Sequence, residues 1–368
     1  MRDMTEKKKT QASIVLSLLA VVIAALLLYC VNTYTKPTFM LRTVLQLGAI
    51  YALVAVSMNL LNGFTGLFSL GQAGFMAVGA YTFAIFTIPV GSRSGVYYLY
   101  GVADWLANIQ FPIWGGLLAA GLVAAVLAAL IGAPVLRLKS DYFAIATLGF
   151  AEIVRIIVGS TPMNRVTNGS LGLKMIPKFP NFYFPFLIAG ICILIIALLL
   201  RSSYGRAFKA IREDEIAAEA MGINLAKHKQ MSFIISSFFA GIGGALMGMF
   251  LGAITSTTFN VTLTYNILLI VVIGGMGSMT GSVLSAFLVI AAREWWLRFL
   301  DQEMVIGTFH VPFLKTGFRM VVFSIILMLV VLFFRRGIMG TKEFNWNFIL
   351  KRLDKKKDAK PSAGGESA

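Results

Sequence analysis

Ten apolar runs, divided by short polar breaks, organise this sequence. They lie near residues 12–31, 39–61, 64–88, 112–136, 142–159, 183–200, 231–253, 263–275, 280–299 and 313–334. A helix crossing the hydrocarbon core of a bilayer needs about 20 predominantly apolar residues. Most of these runs reach or approach that length, and none shows the period-two alternation of a membrane β-strand. The pattern predicts an all-α, polytopic transmembrane helical bundle of about 10 spans. Two blocks are hard to divide: residues 39–88 are broken only by NGFTG, and residues 263–299 only by GGMGSMTG.

Composition supports a membrane protein. The chain has 368 residues, 58% hydrophobic and only 13% charged, with a mean hydropathy of +0.82. Soluble domains carry about 25% charged residues. The net charge of +16 is not spread as a nucleic-acid-binding protein would spread it. With the N-terminus inside, the segments 1–11, 137–141, 201–230 and 335–368 hold 21 Lys and Arg, while the opposite loops hold 5. That asymmetry follows the positive-inside rule and places both termini in the cytoplasm. Two crossings in 263–299, or one crossing plus a re-entrant piece that preserves parity, keep the basic tail inside. The expected organisation is a cytoplasmic tail at 1–11, a membrane domain at 12–334 with a cytoplasmic loop at 201–230, and a basic tail at 335–368. The tail has almost nothing apolar to bury from Lys351 onward and reads as largely disordered. The basic N-terminus precedes an apolar run too long for a signal peptide and without a small-x-small cleavage pattern, so it reads as a retained first helix. Cys30 and Cys192 sit in apolar runs, without metal-type spacing or an expected disulfide. His228 and His310 form no metal-binding pair, and no cofactor is expected.

Thirty-five glycines serve two purposes. Gly244, Gly248 and Gly252, and again Gly277 and Gly281, stand at small-xxx-small spacing, which lets helix backbones approach closely. The segments 61–74 (LNGFTGLFSLGQAG) and 274–281 (GGMGSMTG) read instead as helix breaks, at roughly matching places in the two halves. Paired breaks of this kind point to a transport site in repeat-built transporters. Asn59, Asn62 and Gln72 flank the first break, where they either hydrogen-bond a small polar ligand or bridge helices. Glu152 and Arg155 lie within an apolar run. Their i, i+3 spacing places them on one helical face, as a self-satisfied ion pair or as the lining of a path or gate. Arg293, Glu294 and Arg298 are expected to snorkel to an interface. Trp105, Trp114, Trp295 and Trp296 suit an aromatic belt at the outer interface.

The longest polar interruption is residues 201–230. GRAFKAIR is able to extend the preceding span. Asp214 suits an N-cap with Glu215 in the first turn, and Gly222 suits the C′ position. The two turns between them place small apolar residues on one side and Glu215 and Glu219 on another. A helix this short is marginal alone in water; its small-residue face suits a groove of another protein.

Several strings taken together resemble the permeases of branched-chain amino-acid ABC importers. They are GRAFKAIREDEIAAEAMGIN, LNGFTGLFSLGQAGFMAVGAY, SDYFAIATLGFAEIVRIIV and GGMGSMTGSVLSAF, which span roughly residues 59–287. Within the first, AAEAMGIN (residues 217–224) resembles the cytoplasmic EAA motif of such permeases. Gly281-Ser282 stands where the family often has Gly-Pro, and Gln72 where His is common. The resemblance implies a multi-pass subunit of the bacterial plasma membrane, paired with a second related permease as a heterodimer. It further implies two cytoplasmic ATP-binding subunits, an extracytoplasmic substrate-binding protein, and leucine, isoleucine or valine as cargo. It makes Asp214, Glu215, Ala217, Ala218, Glu219, Ala220 and Gly222 the loop that docks on the ATPase. ATP would be bound by the partner subunits, because the sequence has no GxxxxGK[ST] phosphate loop. Urea and short-amide importers have closely similar permeases and stay open. A stand-alone secondary transporter would need coupling-ion ligands in its spans, where Glu152 is the one obvious acid. A scaffold without transport would leave the 214–222 segment without a purpose. The expectation is therefore a transport subunit and not an enzyme.

Overall fold

Through most of each apolar run the described chain is helical. The computed structural model describes residues 19, 22–23, 25–34, 39–138, 140–301, 305–306, 309–310, 318–333, 337–340 and 343. The expected tail at 1–11 and nearly all of 335–368 lie outside the described residues. The chain divides into two units, Met1–Phe39 with Glu343–Ala368, and Met40–Lys342. In the first, the described residues include the apolar helix α1 (Ala25–Tyr34).

The second unit runs α2 (Met40–Asn59), α3 (Gln72–Thr87), α4 (Ile113–Val135), α5 (Ser140–Val158), α6 (Phe184–Arg201), α7 (Ser203–Glu213), α8 (Glu215–Ala220), α9 (Leu225–Leu251), α10 (Val261–Gly274), α11 (Met279–Glu294) and α12 (Phe318–Phe333). The described β-structure in strands is one short antiparallel pair, Val305–Ile306 with Phe309–His310. Four stretches among the described residues are long and apolar enough to cross a membrane: Met40–Thr65, Ile113–Val135, Phe184–Arg201 and Leu225–Leu251. The number is six if two bent pairs each count once. In these, α3 meets Val90–Val96 at 100° and α5 meets Thr161–Thr167 at 59°. Three further helices fall within expected spans but are too short to be counted among these. α10 has 14 residues, and α11 and α12 have 16 each. Between α10 and α11, glycines and a serine cap take up residues that would otherwise extend the helices.

α2 and its continuation sit at the centre, 89% buried, and α9 is 67% buried. α9 packs on α3, α4 and α2, while α2 also packs on α11 and α6. Glycine permits this closeness, as expected where lipid gives no hydrophobic drive for helix association. A Cβ on Gly79 would lie 2.1 Å from Gly241 O, and one on Gly244 would lie 2.0 Å from Met76 O. The expected 244–248–252 stripe is only partly used. Gly248 has ordinary contacts, and Gly252 (φ +72°) ends α9 in the left-handed region. Likewise Gly277 stands outside α11, so the packed pair at the second break is Gly274 with Gly281.

Two expectations are corrected. GRAFKAIR does not extend the preceding span. α6 stops at Arg201, and Ser202 is extended (ψ 178°), its hydroxyl donating to Leu199 O at 2.6 Å. The turn is tight enough that a Cβ on Gly205 would meet Leu200 O at 2.3 Å. Arg293 and Glu294 do not snorkel outward. They pair at 2.9 Å with side chains 12% and 23% exposed, and the Arg293 guanidinium lies over the Tyr51 ring. The side chain of Arg298 lies outside those described. Trp105, Trp114, Trp295 and Trp296 are all exposed. Cys30 and Cys192 are free.

Candidate functional site

The first glycine break begins where α2 widens into a π turn, Leu60–Thr65, ended by Gly66 at φ +80°. π turns are uncommon and often mark functional positions. The side chains of the segment close it locally. Thr65 Oγ1 donates to Leu60 O (3.0 Å), Asn62 Nδ2 donates to Ser69 O (3.3 Å), and Ser69 N donates to Asn62 Oδ1 (3.0 Å). The chain then enters α3 with backbone donors that the helix itself cannot satisfy. Neighbouring helices supply the acceptors: Leu70 N donates to Thr147 Oγ1 of α5 (3.1 Å), and Ala73 N to Thr264 Oγ1 of α10 (3.2 Å). Gln72 Nε2 donates to Ser57 Oγ (2.7 Å), while Ser236 of α9 donates to Ser57 O (2.6 Å). Asn59, Asn62 and Gln72 are all buried.

The second break lies between α10 and α11, where Gly275 (φ +111°) and Gly277 (φ +90°) turn the chain and Ser278 caps α11. One side chain joins the two breaks. Asn59 Nδ2 donates to Ser278 O (2.9 Å) and Ser282 Oγ (2.8 Å), and Asn59 Oδ1 accepts from Gly277 N (2.9 Å). The segment 337–340 adds a clasp: Ile338 N donates to Ile273 O (2.7 Å) and Met339 N to Gly274 O (3.2 Å).

The 201–230 loop packs on the first break. α7 buries Phe208 and Ile211, Lys209 Nζ stands 5.7 Å from the Phe64 ring centre, and Arg212 Nη1 donates to Gly63 O at 2.8 Å. Asp214 caps α8 as expected, accepting from Ile216 N (2.8 Å) and Ala217 N (3.1 Å). Gly222, at φ +83°, ends it in the left-handed region. Lys229 Nζ pairs with Glu215 Oε2 at 2.6 Å and holds α8 to the start of α9. The faces of α8 differ in detail from the sequence expectation. Ala218 is the buried residue, whereas Ile216 and Met221 project, each 83% exposed. Two exposed apolar tips on a capped helix make a shape that suits an apolar groove.

Glu152 and Arg155 pair at 2.7 Å on α5, with side chains 31% and 32% exposed. On the same helix Ala151 packs on Gly74, while Ile145, Ile153 and Ile156 are exposed. Among the described residues no cluster of His, Cys, Asp or Glu is able to hold a metal ion. Sequence reasoning reaches Asn59, Asn62 and Gln72, but not Ser57, Thr147, Ser236, Thr264 or Arg212. The available signal was polarity inside apolar runs for the first four. For Arg212 it was its place four residues after Phe208, on the buried side of α7.

Helices of spanning length, broken at paired glycines and joined by buried amides, define a polytopic helical membrane protein of transporter type. The chain belongs to the family of branched-chain amino acid transport system permease components, whose pattern it matches over residues 40–336. It is 35% identical over 290 residues to the high-affinity branched-chain amino acid transport system permease protein LivM of Escherichia coli, covering 70% of this chain and 63% of that one. It is 25% identical over 193 residues to the guanosine ABC transporter permease protein NupQ of Bacillus subtilis, covering 50% and 58%. It is 25% identical over 318 residues to the permease protein LivH of Escherichia coli, covering 81% and 93%. The chain thus spans under two thirds of the length of the LivM relative. No solved structure matches it.

Proposed function

We propose that this chain is the permease subunit of an ABC importer that carries branched-chain amino acids across the bacterial plasma membrane. ATP is hydrolysed on separate subunits. The observation that carries this reading is the geometry of α8, a short capped helix that presents Ile216 and Met221 and whose loop packs on the broken span. Family membership names the transport system, and the similarity to both LivM and LivH supports a complex of two related permeases. In that complex two ATPases grip the 214–222 segments, and an extracytoplasmic binding protein delivers the amino acid. The chain crosses about ten times, with both ends and the 201–230 loop in the cytoplasm. The 21-to-5 bias of basic residues supports that orientation.

Mechanically, ATP binding closes the ATPases and displaces α8, and the broken helices switch the path between its two faces. Such a cycle requires ATP to bind the two states with different affinity. Asn59, Asn62 and Gln72 hold the break that moves. Glu152 and Arg155 line the path: an ion pair about one-third exposed on a spanning helix is poorly covered by lipid, and a second permease packed on α5 would shield it. A zwitterionic amino acid with an apolar side chain needs no chain of charged groups along its route.

The test is uptake by the complete complex in proteoliposomes, with leucine, isoleucine and valine set against urea, acetamide and guanosine as competitors. ATP-dependent leucine uptake blocked by isoleucine and valine is expected. Uptake blocked instead by urea, acetamide or guanosine would reassign the cargo.

A further inference from the structure

We propose that Arg212 is a positioning residue that transmits displacement of the 214–222 segment into both glycine breaks at once. This inference rests on the reading of that segment as the surface an ATPase grips. The path of force is short and each link is a named contact. Asp214 serves two helices: its backbone N–H closes α7 onto Ala210 O (3.1 Å), and its side chain caps α8. No flexible linker separates α7 from α8, so they move together. Two residues before the junction, Arg212 reaches into the break.

The break is shaped around that side chain. A Cβ on Gly66 would lie 3.1 Å from Arg212 Cγ and 3.3 Å from its Cα, and one on Gly277 would lie 2.7 Å from Nη1. Gly66 belongs to the first break and Gly277 to the second, so a single arginine is wedged between the two. Its Nη1 donates to Gly63 O (2.8 Å), a carbonyl in the last residues of the π turn. Helix carbonyl ends carry partial negative charge, which favours a cation there. Glu213 engages Nε and Nη2 of the same guanidinium and fixes its plane. Gly277 N is in turn held by Asn59. Movement of α7 therefore pulls on Gly63, and through Asn59 on Gly277 and Ser278. The two breaks respond as one element with two arrangements, the condition for coupling distant sites.

The test uses the complete transporter in proteoliposomes with Arg212→Ala and Arg212→Lys. Leucine uptake, ATP hydrolysis, and amide hydrogen exchange at residues 60–69 and 214–222 are measured with and without ATP plus vanadate. In Arg212→Ala, uptake per ATP is expected to fall about tenfold, as for loss of one charge-assisted hydrogen bond that differs between two states. The ATP-dependent change in exchange is expected to persist at 214–222 and to vanish at 60–69. Arg212→Lys, which keeps the charge, should recover part of both. Should the alanine variant fail to assemble, the lysine variant carries the same comparison. Retention of the ATP-dependent change at 60–69 would overturn the inference, as would uptake and hydrolysis falling in parallel. Lack of ATP-driven uptake by the unaltered complex would instead remove the functional reading and this inference with it.

Discussion

Asn59 and Gly277 stand 218 residues apart in sequence, yet the Gly277 amide donates to the Asn59 side-chain oxygen at 2.9 Å. That bond, with those from Asn59 Nδ2 to Ser278 and Ser282, makes one buried carboxamide the join between two interrupted helices. Replacement of Asn59 by Leu strands the Gly277 N–H in an apolar interior, while Ser278 C=O keeps Ser282 as a donor. Each unpaired buried group costs about 1–3 kcal/mol. The thermal midpoint of the detergent-purified chain is expected to fall, and an unchanged midpoint would mean that the breaks are held by other contacts.

Glycine positions separate into two groups with opposite expectations. Gly79→Ala and Gly244→Ala place a Cβ within 2.1 Å of a backbone oxygen on a neighbouring helix, so α3 and α9 must separate. Recovery of folded protein from membranes should drop sharply. Gly190→Ala meets nothing within 4 Å and should be recovered at the level of the unaltered chain. Equal recovery of all three would refute the close packing of α3 on α9.

The Glu152–Arg155 pair predicts a specific non-additivity. Glu152→Gln leaves Arg155 as an uncompensated cation on a spanning helix, which is more harmful than losing both charges. Uptake and recovery are expected to be lower for Glu152→Gln than for the double variant with Arg155→Gln. Additive losses would show that the pair does not act as a unit.

Stability of the short α8 helix depends on its ends. Asp214→Ala removes the acceptor for two backbone amides, at a cost of about 1 kcal/mol. Gly222→Ala imposes a side chain at φ +83°, again at roughly 1 kcal/mol. Asp214 and Gly222 are both exposed, so the thermal midpoint should hardly move while affinity for the ATPase subunits falls. A loss of overall stability with unchanged affinity would place the segment's role in folding.

What the sequence made legible was local. The apolar runs locate the helices. The Asp214 cap and the Gly222 terminus follow from residue type within a few positions, and i, i+3 spacing pairs Glu152 with Arg155. The reach of Asn59 to Ser282 and of Arg212 to Gly63 spans 223 and 149 residues, and no periodicity encodes contacts at such separation. The outward faces of α8 were also missed, because Ala218 is buried by α7 and α9, which lie outside the eight-residue pattern of that segment. The burial of Arg293, expected to snorkel, is not legible because Tyr51, which supplies the ring it lies over, is on another helix.

The central claim is that an energy-supplying partner grips this chain through α8. It is tested most directly by ATP-dependent leucine uptake in proteoliposomes holding the complete complex, with the unaltered chain or with Ile216→Asp and Met221→Asp together. Both side chains are 83% exposed, so the doubly altered chain should fold and insert normally. The account predicts uptake near background for the variant and robust uptake for the unaltered complex. Equal uptake by the two would contradict it.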